Sequence, residues 1–262
     1  MTLELNKIYC GDCLDLMREM PDKCVDLTVT SPPYDNLRDY KGYSFRFEET
    51  ANELYRITKD GGVVVWVVND ATINGSETGT SFRQALFFKE IGFNLHDTMI
   101  YAKKNPTPYH HNRYNPAFEF MFVFSNGKPA VFNPIKIHTG NKRTGNYRYP
   151  DGSLRSANTQ ESSGMKMLNN IFYYSVGTDK EVKEHPAKFP EKLAEDHILS
   201  WSNPGDIVFD PFMGSGTTAK MALKNGRRFI GIDISQEYCD IAEKRLEKVN
   251  NHKLTDFFNG GE

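Results

Sequence analysis

Apolar and polar positions along this chain follow two different periods in turn. Residues 26–30 form a β-branched run that reads as a strand and ends at Ser31-Pro32-Pro33. Two prolines cannot continue a central strand, so the chain must turn there. Residues 50–58 have helical spacing and stop at Lys59-Asp60-Gly61-Gly62, a turn signal. The longest apolar run, 63–68, reads as a strand buried on both faces, the mark of a parallel sheet. Residues 81–91 predict a helix stopped by Gly92, and 95–101 and 117–124 two further strands.

From 125 to 183 periodicity disappears, and Asn, Gly, Ser, Lys and Arg dominate with scattered Tyr and Phe. Regular structure returns after His185. Helices are predicted at 191–200, 217–224 and 236–250, and strands at 206–210 and 228–233, with a frayed last dozen residues. The expectation is one α/β domain: a mostly parallel sheet with helices on both faces.

Composition changes that picture little. A chain of 262 residues accommodates one large α/β domain or a domain plus an insertion. Apolar residues at 39% and charged residues at 25% argue for a globular chain and against disorder. No apolar run approaches the roughly 18 residues of a membrane span. Residues 1–7 lack the charged-then-apolar order of a signal peptide. Cys10, Cys13, Cys24 and Cys239 form neither a disulfide framework nor a zinc-site spacing. Reduced thiols and a cytoplasmic location are expected.

Charge is more informative locally than globally. The whole chain carries a net −2, yet residues 101–148 hold eight Lys and Arg against one acid, Glu119. That asymmetry is the footprint of a polyanion partner. His110, His111, Glu119 and His138 fit no metal-ligand spacing, so no metal is expected.

Two short motifs carry chemistry. The first is Asp210-Pro211-Phe212-Met213-Gly214-Ser215-Gly216-Thr217-Thr218, set between a predicted strand and helix. Glycines there permit a tight turn and close backbone approach to a ligand, and a helix N-terminus suits an anionic group. The next strand ends at Asp233, 17 positions past Gly216, placed to bind ribose hydroxyls. This half reads as a site for an adenosine-type ligand. It is neither a full G-x-G-x-x-G nor a P-loop. The second motif is Thr30-Ser31-Pro32-Pro33-Tyr34, at the carboxyl end of a predicted parallel strand. The double proline makes a rigid loop whose carbonyls stay free. With the Ser31 hydroxyl they form an acceptor pair for an amino group, and Tyr34 offers a flat face for a planar ring.

Together these motifs resemble the S-adenosylmethionine-dependent amino DNA methyltransferases, the N4-cytosine and N6-adenine enzymes. The family signature [S/D/N]-P-P-[Y/F/W] is matched by Ser31-Pro32-Pro33-Tyr34, and F-x-G-x-G by Phe212 to Gly216. Catalytic motif, basic variable region and cofactor loop follow one another in the circularly permuted order of the β class. Gly11-Asp12-Cys13-Leu14-Asp15-Leu16 resembles the segment that contacts the cofactor adenine. His185-Pro186-Ala187-Lys188-Phe189-Pro190 resembles the motif that helps enclose the methionine end.

The resemblance implies a Rossmann-like fold with a seven-stranded sheet and one antiparallel strand. It assigns 1–124 and 185–262 to the catalytic domain and 125–184 to target recognition. It implies Ser31, Pro32, Pro33 and Tyr34 as catalytic residues. For S-adenosylmethionine it implies Asp12, Cys13, Lys188, Phe189, Pro190, Asp210, Phe212, Gly214, Gly216, Thr217, Thr218 and Asp233. For double-stranded DNA the basic residues are Arg38, Lys41, Lys136, Lys142, Arg143, Arg148 and Arg155. The target base would be flipped out of the duplex to reach such a pocket.

Ser at the first signature position resembles the N4-cytosine branch; Asp or Asn is usual in the adenine branch. Methylation at the 5-position of cytosine would need a Pro-Cys nucleophile, and none of the four cysteines follows a proline. An RNA or protein amine methyltransferase is disfavoured by the basic insert and the permuted order. An inactive DNA-binding relative is disfavoured by the intact motifs, and a nicotinamide oxidoreductase by the absent third glycine. A homodimer and a separately acting restriction endonuclease are partners the resemblance admits and the residues do not specify.

Overall fold

In the computed structural model, residues 3–33, 45–106, 108, 112–138, 146–156, 165–175 and 190–259 are described; of 146, 147, 155, 156 and 250–259 only the backbone is. The first half runs β1 (Lys7–Cys10), α1 (Cys13–Glu19), β2 (Val25–Thr30), α2 (Phe47–Ile57), β3 (Thr58–Val68), β4 (Thr72–Ile73), β5 (Ser76–Glu77), α3 (Thr80–Glu90), β6 (Asn94–Lys103) and β7 (Phe118–Ser125). There follow β8 (Lys136–His138), β9 (Asn146–Arg148), β10 (Leu154–Ser156), β11 (Met165–Met167) and β12 (Ile171–Tyr174). The chain ends with α4 (Glu191–Trp201), β13 (Ile207–Asp210), α5 (Thr217–Lys224), β14 (Arg228–Asp233) and α6 (Gln236–Asn259). No helix among the described residues is long and apolar enough to cross a membrane.

Eight strands form one sheet in the order β1-β14-β13-β2-β3-β7-β6-β12. Only β7 runs against the rest: it pairs antiparallel with β3 and with β6. The sheet therefore has eight strands rather than seven. The addition is β12, parallel to β6 at the edge. Its four residues alternate, with Phe172 and Tyr174 buried and Ile171 and Tyr173 exposed. So short a pattern in a polar stretch gives no periodic signal.

Two other expectations change. The turn signal at 59–62 does not interrupt the chain, because β3 starts at Thr58 directly from α2. Gly61 takes φ +78° and donates its N–H to Asn126 O, 2.6 Å, so the irregularity is absorbed as a register shift inside the strand. The last helix is not frayed after 250; α6 continues to Asn259.

Helices α1, α2 and α3 pack together on one side of the sheet, and α4, α5 and α6 on the other. Trp66, Phe88, Phe124 and Phe209 are the largest fully buried aromatic side chains. Such a core buries about 1.5–3 kcal/mol of apolar transfer energy per large side chain. Trp66 satisfies its one polar group by donating Nε1–H to Gln84 Oε1, 2.9 Å.

The chain divides into two compact units. One is Met1–Asn133 with Asn170–Glu262; the other is Pro134–Asn169. The smaller unit holds two antiparallel pairs, β8 with β11 and β9 with β10. The β9–β10 turn is closed by Asp151, whose Oδ1 accepts from Ser153 N at 2.8 Å and Ser153 Oγ at 2.6 Å.

Candidate active site

Strands β1, β14, β13 and β2 are parallel neighbours, so their carboxyl ends lie on one edge of the sheet. Open α/β sheets bind ligands outside that edge. Cys10, Asp233, Asp210 and Thr30 are the last residues of these four strands.

The glycine loop leaves β13 at Pro211 and enters α5 after Gly216. Gly216 sits at φ +81° as the N-cap of α5, and its N–H donates to Met213 O, 3.0 Å. A Cβ there would lie 2.7 Å from Ala242 Cβ, so only glycine fits both the backbone and the packing. The loop is stitched to its neighbour strand: Met213 N–H donates to Ile232 O at 2.9 Å, and Gly214 N–H to Asp233 Oδ2 at 2.8 Å. Asp233 Oδ1 accepts from Ser235 N at 2.9 Å. Burial raises the Asp233 carboxyl above its usual range, and those two N–H donors work against the rise.

Asp210 is the deepest acid of the edge. Its Oδ1 accepts from Thr30 Oγ1 at 2.6 Å and Phe212 N at 3.1 Å. Its Oδ2 is buried with no hydrogen-bond partner among the described residues. Burial pushes the carboxyl up to about 7, against the Thr30 and Thr218 hydroxyls and the Phe212 N–H, which favour the charge. Thr218 Oγ1 donates to Val29 O at 3.1 Å, fastening α5 to β2. Thr217 Oγ1 accepts from Arg245 Nη1 at 3.4 Å. Both hydroxyls are thus engaged by protein, and what this helix start can offer a ligand is backbone N–H.

Ser31 and Pro33 are half-buried and Pro32 is buried, directly beyond Thr30. Asp12 is the N-cap of α1: its Oδ1 accepts from Leu14 N at 2.8 Å, and its Oδ2 from Arg46 Nη2 at 3.1 Å. Cys13 is buried in the first turn of α1. Pro190 is the N-cap of α4. The next residue, Glu191, accepts from Arg245 Nη2 at 2.8 Å and from Lys220 Nζ at 2.7 Å. Arg245 Nη1 in turn donates to Ser215 O, 2.7 Å. This chain of contacts joins the start of α4 to the glycine loop. Arg245 is 3% exposed, and sequence reasoning missed it because Arg in a Glu/Lys-rich helix reads as solvated.

The edge thus brings together Asp12, Cys13, Ser31, Pro32, Pro33, Asp210, Phe212, Gly214, Gly216, Thr217, Thr218 and Asp233, with Pro190 linked through Glu191 and Arg245. Tyr34, Arg38, Lys41, Lys142, Arg143, Lys188 and Phe189 lie outside the described residues, as does the side chain of Arg155. Lys136 and Arg148 belong to the smaller unit, where both are exposed. Part of the local positive charge is consumed inside the protein. Lys103 pairs with Glu119 at 2.7 Å, and Arg113 with Glu77 at 3.4 Å. Among the described residues no cluster of His, Cys, Asp and Glu could hold a metal ion.

Residues 25–244 match the N6/N4 family described as DNA methylase. The orphan methyltransferase M.BamHII of Bacillus amyloliquefaciens is 58% identical over 246 residues, covering 88% of this chain and 92% of the relative. The type II methyltransferase M.BglII of Bacillus subtilis is 30% identical over 257 residues, covering 92% of this chain and 69% of the relative. The solved M1.HpyAVI–SAM complex is 26% identical with a TM-score of 0.66, covering 94% of this chain and 99% of that one. The PvuII DNA methyltransferase (cytosine-N4-specific) has a TM-score of 0.71 at 22% identity, covering 100% and 95%, and shares the fold.

Proposed function

The chain belongs to the N6/N4 DNA methylase family, the amino DNA methyltransferases, and from that premise we propose that it moves a methyl group from S-adenosylmethionine to the N4 amine of a cytosine flipped out of duplex DNA. The observation that carries this reading is the junction of the two motifs. Thr30, next to Ser31, hydrogen-bonds Asp210, two residues from Phe212. An acceptor pair for an amine and a nucleoside-type loop are thereby fastened together.

The residues at the edge fit the cofactor. Gly216, in the left-handed backbone conformation and packed against Ala242, turns the loop into α5 so that the helix N-terminus meets the edge. Asp233 is held by two backbone N–H groups and keeps lone pairs for ribose hydroxyls. Asp210 has a buried carboxylate oxygen without a partner among the described residues, suited to a cationic neighbour. When bound, S-adenosylmethionine supplies an electrophilic methyl group on a sulfonium.

The chain's own residues then do the positioning. Ser31 Oγ and the Pro32 carbonyl accept hydrogen bonds from the two amine N–H groups. That draws the nitrogen toward pyramidal geometry and aims its lone pair. The aromatic amine is a poor nucleophile, so orientation and fixed dipoles carry much of the catalysis. Tyr34 offers the stacking face for the flipped base. Asp12 and Cys13 take the adenine end. Pro190, Phe212 and the loop to Thr218 wrap the methionine end, with Lys188 and Phe189 preceding them in the chain. Arg38, Lys41, Lys136, Lys142, Arg143, Arg148 and Arg155 supply charge for DNA phosphates and base edges.

Ser31 supports cytosine over adenine. The test is incubation of unmodified DNA of varied sequence with labelled S-adenosylmethionine, digestion to nucleosides and mass spectrometry. N4-methylcytosine is the expected product. N6-methyladenine would keep the chemistry and overturn the base.

A further inference from the structure

One dipeptide touches both sides of the proposed cofactor site. Phe45 packs edge-on against Phe212, with ring centroids 5.3 Å apart, and stacks on Trp66 at 6.5 Å. Its neighbour Arg46 donates Nη2–H to Asp12 Oδ2 at 3.1 Å. Phe212 belongs to the loop after β13, and Asp12 to the turn after β1. Strand β14, which ends in Asp233, lies between those two strands. The contacts therefore fall on either side of the acid assigned to the ribose, about 10 Å apart by strand spacing.

The dipeptide is itself fixed. Thr50 donates to Arg46 O through its N–H at 3.1 Å and its hydroxyl at 2.9 Å. Glu49 Oε2 lies 3.6 Å from Arg46 Nη1 and also accepts from Arg18 Nη2 at 2.8 Å. Trp66, behind Phe45, is fully buried and tied to Gln84. Phe45 thus belongs, with Phe47, Phe87 and Phe212, to the half-buried side of an aromatic cluster built on Trp66 and Phe88.

A purely structural role explains the Arg46 contact poorly. Asp12 already caps α1 through Oδ1, so the cap does not need Arg46 on the other oxygen. The pair is also substantially exposed, at 40% for Arg46 and 23% for Asp12. Exposed pairs add little to stability. What Arg46 does do is fix the plane of the carboxylate by holding its second oxygen.

We propose that Phe45 and Arg46 are positioning residues for S-adenosylmethionine, Arg46 holding Asp12 for the adenosine end and Phe45 holding Phe212 for the methionine end. The proposal rests on the cofactor reading given above.

The test is calorimetric binding to the full chain of two ligands: S-adenosylmethionine, and methylthioadenosine, which lacks the amino-acid end. Arg46→Gln is expected to weaken both ligands about fivefold, and Arg46→Lys to recover much of that loss. Phe45→Ala is expected to weaken S-adenosylmethionine about tenfold and leave methylthioadenosine within about twofold. The KM for DNA should stay unchanged in each variant. Asp233→Ala is the control and should lose both ligands. Loss in Asp233→Ala with unchanged binding in the Phe45 and Arg46 variants overturns the proposal alone. So does equal weakening of both ligands by Phe45→Ala. Unchanged binding in Asp233→Ala overturns the cofactor reading and the proposal with it.

Discussion

Thr30 and Asp210, 180 residues apart in sequence, meet in a buried 2.6 Å hydrogen bond. Each is the last residue of its strand, and each opens one of the two motifs. Asp210 thereby has two duties: it accepts from the strand that leads into Ser31, and it holds at the edge of the sheet a second oxygen with no hydrogen-bond partner among the described residues.

That arrangement has a pH consequence. Burial raises Asp210 from its ordinary value to about 7. A carboxyl raised on folding stabilises the protein fully below its unfolded pKa. The contribution is lost as pH rises through about 7. Thermal denaturation of the cofactor-free protein should therefore show stability falling from about pH 4 to pH 7, and Asp210→Asn should flatten the fall. A cationic cofactor favours the ionised acid. Affinity for S-adenosylmethionine should thus rise between pH 6 and pH 8 in the wild type, with proton release, and much less in Asp210→Asn. Calorimetry in two buffers of different ionisation enthalpy checks both.

Gly216 combines a left-handed backbone with contact to Ala242. Gly216→Ala should lower the melting temperature by about 5 °C and abolish measurable cofactor binding. Adding Ala242→Gly removes the 2.7 Å collision and leaves the 3.2 Å approach to the residue 242 Cα together with the φ strain. Partial recovery of the melting temperature is the expected outcome, read by differential scanning calorimetry.

The four thiols should react in a defined order. Cys10 is exposed, Cys24 half-buried, and Cys13 and Cys239 buried. Burial, and secondarily the neighbouring Cys10 thiol, pushes Cys239 up to about 12. Iodoacetamide at pH 8 should label Cys10 first and Cys239 far more slowly. Cys10 pairs across the sheet with Asp233, so saturating S-adenosylmethionine should slow its labelling. Peptide mass spectrometry over time gives both results.

The smaller unit offers a salt test. Lys136 and Arg148 are exposed in it. If each meets a phosphate, Lys136→Gln and Arg148→Gln should each reduce the slope of log affinity for DNA against log salt by about 1. Fluorescence anisotropy with a labelled duplex measures it.

The sequence displayed the sheet wherever strands were long and apolar, as at 63–68, and wherever glycine or proline punctuated them, as at Ser31-Pro32-Pro33 and Gly214–Gly216. It was silent on β1 and α1, whose four and seven residues are too short for a period to emerge. It was silent on β12 for the same reason. Within the candidate site, motif positions at the sheet edge were legible, such as Asp210 and Asp233. Residues joined to it by tertiary contacts were not. Arg245 reaches Ser215, and Phe45 reaches Phe212, only once distant segments fold together. Thr218 shows the reverse: it stands in the motif, yet its hydroxyl serves Val29.

The central claim is that Ser31 serves the substrate amine while the glycine loop and Asp233 serve the cofactor. One variant separates these roles. Ser31→Ala should bind S-adenosylmethionine with wild-type affinity by calorimetry, and its single-turnover methyl transfer to DNA should fall about 100-fold or more. Wild-type transfer by Ser31→Ala, or loss of cofactor binding in parallel with activity, would contradict it.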